Sequence, residues 1–187
     1  AGTAGPNDLI LALMSGGASA LWSAPAPGIS FDAKQALTKK LLRSGARITE
    51  MNCIRKHLSA IKGGKLAAAA GGTPLLTLAI SDIPGDDPAA IGSGPTIGDP
   101  TTLQEARDVL VRYKIDVAPE IAAVLADPAN ETLKPDDPRL AHARFEIVAA
   151  PRQSIAAAAT IAEAAGYKVI SLGDALESAV ADIESMD

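Results

Sequence analysis

The sequence predicts an α/β protein, a three-layer α/β/α sandwich with a mostly parallel, Rossmann-like sheet. Four short apolar runs, at residues 9–14, 75–80, 145–150 and 168–172, are separated by segments with helical periodicity, and this alternation is typical of the class. The first run, residues 9–14, is continuously apolar, as in a parallel strand that is buried on both faces. Hydrophobic residues make up 48% of the chain and aromatic residues only 3%, which favours closely packed, alanine-lined helices.

The helices are predicted from apolar periodicity and from their start and stop signals. Thr102 and Glu105 match a capping box, while Gly45 and Gly166 are suitable C-terminal stops. The predicted helices cover residues 31–44, 48–61, a short alanine-rich segment ending at 70, 102–113, 119–126 and 154–165, and another begins near 174.

Composition excludes several classes of protein. The net charge is −5 and the basic residues are dispersed except around residues 55–65, so a broad basic face for nucleic acid is not expected. Cys53 is the only cysteine, which rules out an intrachain disulfide and makes a zinc site improbable. No apolar run approaches the length of a membrane span, and we expect no signal peptide. We expect a soluble cytoplasmic protein, and a piece of a longer one, because the chain lacks an initiator methionine and ends inside a predicted helix.

The turn that follows the first predicted strand is a candidate anion site. It consists of five small residues, Ser15, Gly16, Gly17, Ala18 and Ser19. Ligands of open α/β sheets bind at the carboxyl ends of strands, where a following helix offers free N–H groups. The turn is neither a Walker loop nor a dinucleotide fingerprint, so a plain tight turn is an equally good interpretation.

A polar stripe on the helix predicted at 48–61 is the second candidate. Its members lie beside an apolar face and lead into a glycine pair; they are Asn52, Arg55, Lys56, Ser59 and Lys62, followed by Gly63 and Gly64. Such a stripe is usually a solvated helix face. The glycines would nevertheless let the backbone approach a ligand, and the three cations could clamp a phosphate or carboxylate. His57 and Cys53 lie off the stripe and are interpreted as structural.

Two loops after the strand predicted at 75–80 complete the candidate site. Asp82 ends that strand and Asp86 lies in the proline- and glycine-containing loop beyond it. Such carboxylates can bind Mg²⁺ or accept a hydroxyl proton, although an aspartate that caps a turn is the simpler alternative. The next loop, with Ser93, Gly94, Pro95 and Thr96, offers a second concavity rich in N–H groups.

These segments together resemble a known family. The quoted segments are LMSGGASAL at 13–21, NCIRKHLS at 52–59, KGGKLA at 62–67, SDIPGDDP at 81–88 and GSGPT at 92–96. They are similar, in the same order, to those of the glycerate 2-kinases (the MOFRL-type glycerate kinases), whose members also carry provisional hydroxypyruvate reductase names. Ala18 stands where the family more usually has a third glycine.

The resemblance implies a transferase, an ATP- and Mg²⁺-dependent kinase that makes 2-phosphoglycerate from D-glycerate in a cleft between two domains. Residues 1–187 would be part of the N-terminal α/β domain, without its first segment and without the C-terminal domain, which puts the activity of the isolated chain in question. D-glycerate and a nucleotide are then the partners, with no nucleic acid or membrane, and a homodimer is compatible.

The residues fit the roles of a kinase site. Asp82, Lys62 and Arg55 are the predicted catalytic residues, Asp82 and Asp86 the predicted metal ligands, and the remaining turn, stripe and loop residues the predicted substrate or ATP contacts. Two alternatives stay open. An NAD(P)H-dependent hydroxypyruvate reductase would need a dinucleotide fingerprint, and a non-catalytic phosphosugar-binding module would not need the acidic residues.

Overall fold

A computed structural model describes residues 4, 5 and 7–174. Three strands form one parallel sheet in the order β1-β2-β3, with β1 at Ile10–Met14, β2 at Leu75–Ile80 and β3 at Ala143–Ala149. The predicted α/β class and parallel sheet are confirmed. A fourth strand at 168–172 is not formed, because this segment pairs with no strand of the described chain and its Ile170 and Leu172 are exposed.

The register of the sheet aligns the carboxyl ends of its strands. Met14 at the end of β1 lies opposite Ala79 of β2, and Ala79 lies opposite Ile147 of β3. An irregularity after Ala79 then pairs Ile80 with Ala149. The loops that follow the three strands therefore emerge at one edge of the sheet.

Seven α-helices are described. They are α1 Ala18–Leu21, α2 Phe31–Arg43, α3 Ile48–His57, α4 Lys65–Ala68, α5 Leu103–Arg112, α6 Pro119–Ala126 and α7 Pro151–Ala164. The predicted capping box of α5 is confirmed, since Thr102 Oγ1 accepts from the Glu105 N–H and Glu105 accepts from the Thr102 N–H. None of these helices is both long and apolar enough to cross a membrane. The helix expected to begin near residue 174 falls outside the described residues.

Helix α3 ends four residues earlier than the apolar periodicity predicted. After His57 the chain pairs with the segment around Pro25: the Ala26 N–H donates to Leu58 O at 3.1 Å and the Ala60 N–H to Ala24 O at 2.9 Å. Ser59 and Lys62 consequently leave the helix, and the predicted polar stripe is not one helical face.

The buried side chains form a helical core and a layer against the sheet. Helices α2, α3, α5 and α6 share the larger core, which contains Leu41, Ile54 and Ile121. The sheet packs through Met14 and Ala79 on Ile91. On the opposite face of β1, Leu11 and Leu13 are exposed within the described part of the chain.

Candidate active site

The carboxyl edge of the sheet brings the glycine turn and the predicted catalytic aspartate together. A Cβ atom built on Gly16 would lie 2.8 Å from Oδ2 of Asp82, so this carboxylate rests against the backbone of the turn. Ser15, Gly16, Gly17 and Asp82 are all exposed. At this edge of the sheet, a solvent-accessible carboxylate therefore lies beside the exposed backbone of two glycines.

Asp86 lies at the same edge but is already engaged. Its Oδ2 forms an ion pair with Arg152, which follows β3, while its Oδ1 is buried without a hydrogen-bond partner within the described residues. Asp86 also adopts a left-handed backbone conformation, with φ of 54°. Arg152 therefore occupies one of the two carboxylate oxygens of Asp86 in this structure.

Lys62 connects the glycine turn to the loop at 92–96. Its side chain is buried, with 2% of the residue exposed. The ammonium donates to Ser19 O at 2.7 Å, to Ser19 Oγ at 3.2 Å and to Gly92 O at 3.3 Å. Ser19 Oγ and Ser93 Oγ share a further hydrogen bond of 2.7 Å. Two of the sequence-predicted segments thus meet at one buried lysine.

A cavity of about 180 Å³ opens beside Lys62. Helix α3 contributes Arg55 and helix α2 contributes Lys34; the full lining is Ser19, Ala20, Ser23, Phe31, Lys34, Gln35, Thr38, Arg55 and Lys62. Among the residues that the structure describes, no acidic side chain lines the cavity, and none forms an ion pair with any of the three cations. We call Lys34, Arg55 and Lys62 the cation triad.

The cation triad is electrostatically strained. Burial, and then the charges of Lys34, Arg55 and Lys56, lower the pKa of Lys62 to about 7. Burial, with the charges of Arg55 and Lys65, lowers the pKa of Lys34 to about 8, and burial also lowers the pKa of Arg55. An anion in the cavity would relieve this mutual repulsion, since opposite charge at close range favours the protonated lysines.

Three members of the predicted polar stripe, Asn52, Lys56 and Ser59, do not line the cavity. The Lys56 ammonium is buried and donates to Asp99 Oδ1 at 3.0 Å. Burial raises the pKa of Asp99, but Lys56 and Thr101 outweigh it, so the net shift is downward. Ser59 Oγ donates to Ala24 O and accepts from the Lys62 N–H. Lys56 therefore neutralises a buried carboxylate, and Ser59 supports the turn after α3. Asn52 keeps a buried Oδ1 without a partner in the described chain, outside the lining of the cavity.

The glycine pair and the loop at 92–96 brace each other. The Gly63 N–H donates to Ser93 O at 3.2 Å, and the Gly64 N–H donates to Gly94 O at 2.8 Å. Pro95 O accepts from the Leu66 N–H, and Thr96 Oγ1 shares a 2.7 Å hydrogen bond with Thr77. The loop is buried throughout. These hydrogen bonds hold Gly63, Gly64, Gly94, Pro95 and Thr96 within the protein, and their role as ligand contacts stays a prediction.

His57 is structural, as the sequence predicted. It is fully buried, with Nδ1 2.8 Å from Cys53 O and Nε2 2.7 Å from Glu131 Oε1. Sequence reasoning missed Lys34, which lies in an ordinary amphipathic helix. The available signal was its position: Lys34 precedes Leu37 by three residues and Leu41 by seven, which places a lysine on the buried stripe of α2.

The fold and the site define an α/β domain with a cationic cavity next to the carboxyl edge of a parallel sheet. The chain belongs to the family described as a domain of unknown function (DUF4147), whose model matches residues 1–126. It is 41% identical over 182 residues to a glycerate 2-kinase of Pyrococcus horikoshii, which covers 94% of this chain and 40% of that protein. Human glycerate kinase is 37% identical over 182 residues, covering 96% of this chain and 34% of its own.

The chain is also similar to a second bacterial protein in sequence and to a solved crystal structure. A protein of Agrobacterium vitis with a provisional hydroxypyruvate reductase name is 50% identical over 173 residues, covering 92% of this chain and 39% of that protein. The crystal structure of Thermotoga maritima glycerate kinase superposes with a TM-score of 0.77 at 33% identity, covering 89% of this chain and 38% of the other. The resemblance to the glycerate kinases is confirmed. The chain spans less than half the length of each of these relatives.

Proposed function

We propose that this chain supplies part of the site of a kinase that phosphorylates D-glycerate to 2-phosphoglycerate at the expense of ATP. The observation that carries the proposal is the cation triad, which lies close to the carboxyl edge and has no carboxylate partner among the described residues. Both substrates of such a kinase are anions. The glycerate kinase names of relatives at 37–41% identity support the choice of acid and of reaction.

The chemistry of phosphoryl transfer sets the roles of the residues. The glycerate hydroxyl oxygen bonds to the terminal phosphorus of ATP, the bond from that phosphorus to the bridging oxygen breaks, and ADP leaves. Catalysis of this reaction is largely positioning and stabilisation of charge. Arg55 and Lys62 would bind the anionic groups, while Asp82, exposed beside Gly16, would orient the hydroxyl and accept its proton.

The residues at the carboxyl edge fit a Mg²⁺ ion that arrives with the nucleotide. Such ions are usually held by one or two carboxylates together with substrate phosphates, and they supply neutralisation of the phosphate charge. The described residues contain no group of three potential ligands. Asp82 would hold this ion as the alternative to accepting the hydroxyl proton; Asp86 has an unpartnered Oδ1 among the described residues but pairs with Arg152 through Oδ2.

A hydroxypyruvate reductase is the second candidate, because the Agrobacterium vitis relatives carry that name. The turn at 15–19 argues against it, since it lacks the spacing of glycines with which a dinucleotide pyrophosphate is normally bound. A non-catalytic phosphosugar-binding module would use the same cavity without needing Asp82.

The test is release of ADP in the presence of ATP, Mg²⁺ and D-glycerate. It is run on the 187-residue chain and on the longer reading frame that contains it, because the relatives are more than twice as long. We expect activity in the longer frame and its loss by several orders of magnitude in Asp82→Asn. Oxidation of NADH by hydroxypyruvate, with no ADP released from either protein, would replace the kinase with the reductase.

A further inference from the structure

Lys34 is buried in a place that is unfavourable for a cation. Only 8% of the residue is exposed, and its Nζ has no hydrogen-bond partner among the described residues. It lies within about one turn of the N-terminus of α2, capped by Ser30, where the helix dipole presents its positive end. Its charged neighbours are Arg55, Lys62 and Lys65. Asp32 in the same turn is exposed, and neither it nor Lys34 takes part in an ion pair among the described residues.

Buried lysines are normally paired, because an uncompensated charge away from water is costly. The same helix shows that a solvated lysine is readily placed, since Lys39 and Lys40 are both exposed. The packing of α2 does not require an ammonium at position 34 either, because Leu37 and Leu41 fill the adjoining core. Lys34 is therefore best explained by a ligand that enters the cavity and provides the missing negative charge.

We propose that Lys34 completes, with Arg55 and Lys62, a binding site for a doubly charged phosphate group. The cation triad can present more positive charge than a single carboxylate would neutralise, and Ser23 and Gln35 add polar groups to the lining. A phosphate dianion offers several acceptor oxygens to such a set of donors. Neither the named reaction of the relatives nor the sequence motifs assigned a role to Lys34.

A second cavity provides an internal comparison. It is larger, about 530 Å³, and contains Lys65 and Arg139. Its lining also includes Asp127 and Glu131. Lys65 donates to Ser59 O and Asn130 O, and Arg139 forms an ion pair with Asp137. The cations of the second cavity are thus already partnered, whereas the cation triad combines buried positive charge with an open space.

The phosphate could belong to the nucleotide or to the phosphorylated acid. That choice rests on the proposed function, whereas the existence of the phosphate site does not. Competition distinguishes the sources: a site for the product is emptied of inorganic phosphate by 2-phosphoglycerate at lower concentration than by ATP, and a site for the nucleotide shows the reverse order.

The experiment titrates the 187-residue chain with inorganic phosphate at low ionic strength and pH 7. Binding is followed by calorimetry and by the fluorescence of Trp22, the only tryptophan, which lies next to the lining residue Ser23. We expect saturable binding that Lys34→Met weakens about 10- to 100-fold, the effect of losing a charged hydrogen-bond donor. Lys39→Met, on the exposed face of the same helix, is the matched control and should bind as the parent chain does.

Lys34→Arg retains the charge and should bind phosphate more tightly than Lys34→Met, which separates recognition from packing. Equal affinity in the parent chain and in Lys34→Met would overturn the proposal, as would phosphate binding no stronger than that of acetate. If the longer protein releases no ADP while phosphate binding still depends on Lys34, the phosphate site is supported and the kinase function is rejected. If turnover is found and phosphate does not bind, only the site falls.

Discussion

Gly16 and Asp82 are in contact across the ends of two neighbouring strands: a Cβ atom on Gly16 would come within 2.8 Å of Asp82 Oδ2 and 3.3 Å of its Cγ. Gly16 has no positive φ that would demand glycine. Glycine is needed at position 16 because a side chain there would overlap the Asp82 carboxylate. The position of Asp82 depends on the residue at 16, although 66 positions separate the two in the sequence.

Replacement of Gly16 by alanine is expected to move the Asp82 carboxylate with little effect on stability. Asp82 is exposed, so its side chain can rotate away, and the melting temperature should change by no more than about 2 °C. Turnover in the longer protein should fall about 10-fold or more, because a small misplacement of a reacting group is costly. Gly5→Ala is the control, since its nearest atom would be 3.7 Å away. Unchanged turnover in Gly16→Ala would separate Asp82 from the reaction.

The sequence was sufficient to predict the edge of the sheet where these residues meet. Apolar runs such as LALM and LLTLAI form strands, and each is followed by small or acidic residues that do not continue it. Parallel pairing then places Ser15 and Asp82 at one edge without further information. Local patterns that agree with the global fold are the ones that sequence reasoning can use.

Other features depend on contacts distant in sequence. The apolar spacing of α3 continues through Leu58 and Ile61, and only the pairing of 58–60 with 24–26 ends the helix at His57. The sequence could not distinguish Lys56 from Lys62, because both belong to the same predicted polar stripe. In the structure Lys56 donates to Asp99, whereas Lys62 donates to Ser19. The sequence places Lys34 on the buried stripe of α2, but only the fold shows that Arg55 and Lys62 lie beside it.

Removal of the charge of Asp99 should destabilise the chain strongly. Asp99→Asn leaves the buried Lys56 ammonium without its counterion, and loss of one partner of a buried pair typically costs about 3–5 kcal/mol. The measurement is urea unfolding of the 187-residue chain at pH 7. Asp137→Asn, which breaks an ion pair with the exposed Arg139 side chain, should cost much less. Comparable losses in the two variants would contradict a structural role for the Lys56–Asp99 pair.

A substitution at Gly63 tests whether this glycine supports the packing of the loop at 92–96 or binds a ligand. Alanine there would place Cβ 2.6 Å from Thr132 Cγ2, at a φ of 59° that suits glycine. We expect Gly63→Ala to lower the free energy of unfolding by about 2–4 kcal/mol, through strain and overpacking. Gly45→Ala also has a positive φ but no atom within 4 Å, so it should cost only about 1 kcal/mol. If the Gly63→Ala protein is as stable as the parent chain but does not bind phosphate, the result would support the predicted role of Gly63 as a ligand contact.

The cation triad predicts that the chain becomes more stable as pH rises from 7 to 9. Lys62 and Lys34 have pKa values of about 7 and about 8 in the folded chain, against an ordinary 10.5. The unfolded chain therefore holds more protons in this range, and its free energy relative to the folded state increases with pH. We expect a gain of about 1 kcal/mol, after allowance for partial screening by solvent, measured by urea unfolding at fixed ionic strength.

Two features sharpen this measurement. Burial raises the pKa of Cys53 to about 11 from 9.0, so the thiol opposes the trend above pH 9 and the series should end there. Lys62→Met should remove much of the slope, whereas Lys39→Met, an exposed lysine on α2, should keep it. Saturating phosphate should also flatten the slope, because a bound anion keeps the lysines protonated. A stability that is flat or falling between pH 7 and 9 in the parent chain would contradict the strain assigned to the cation triad.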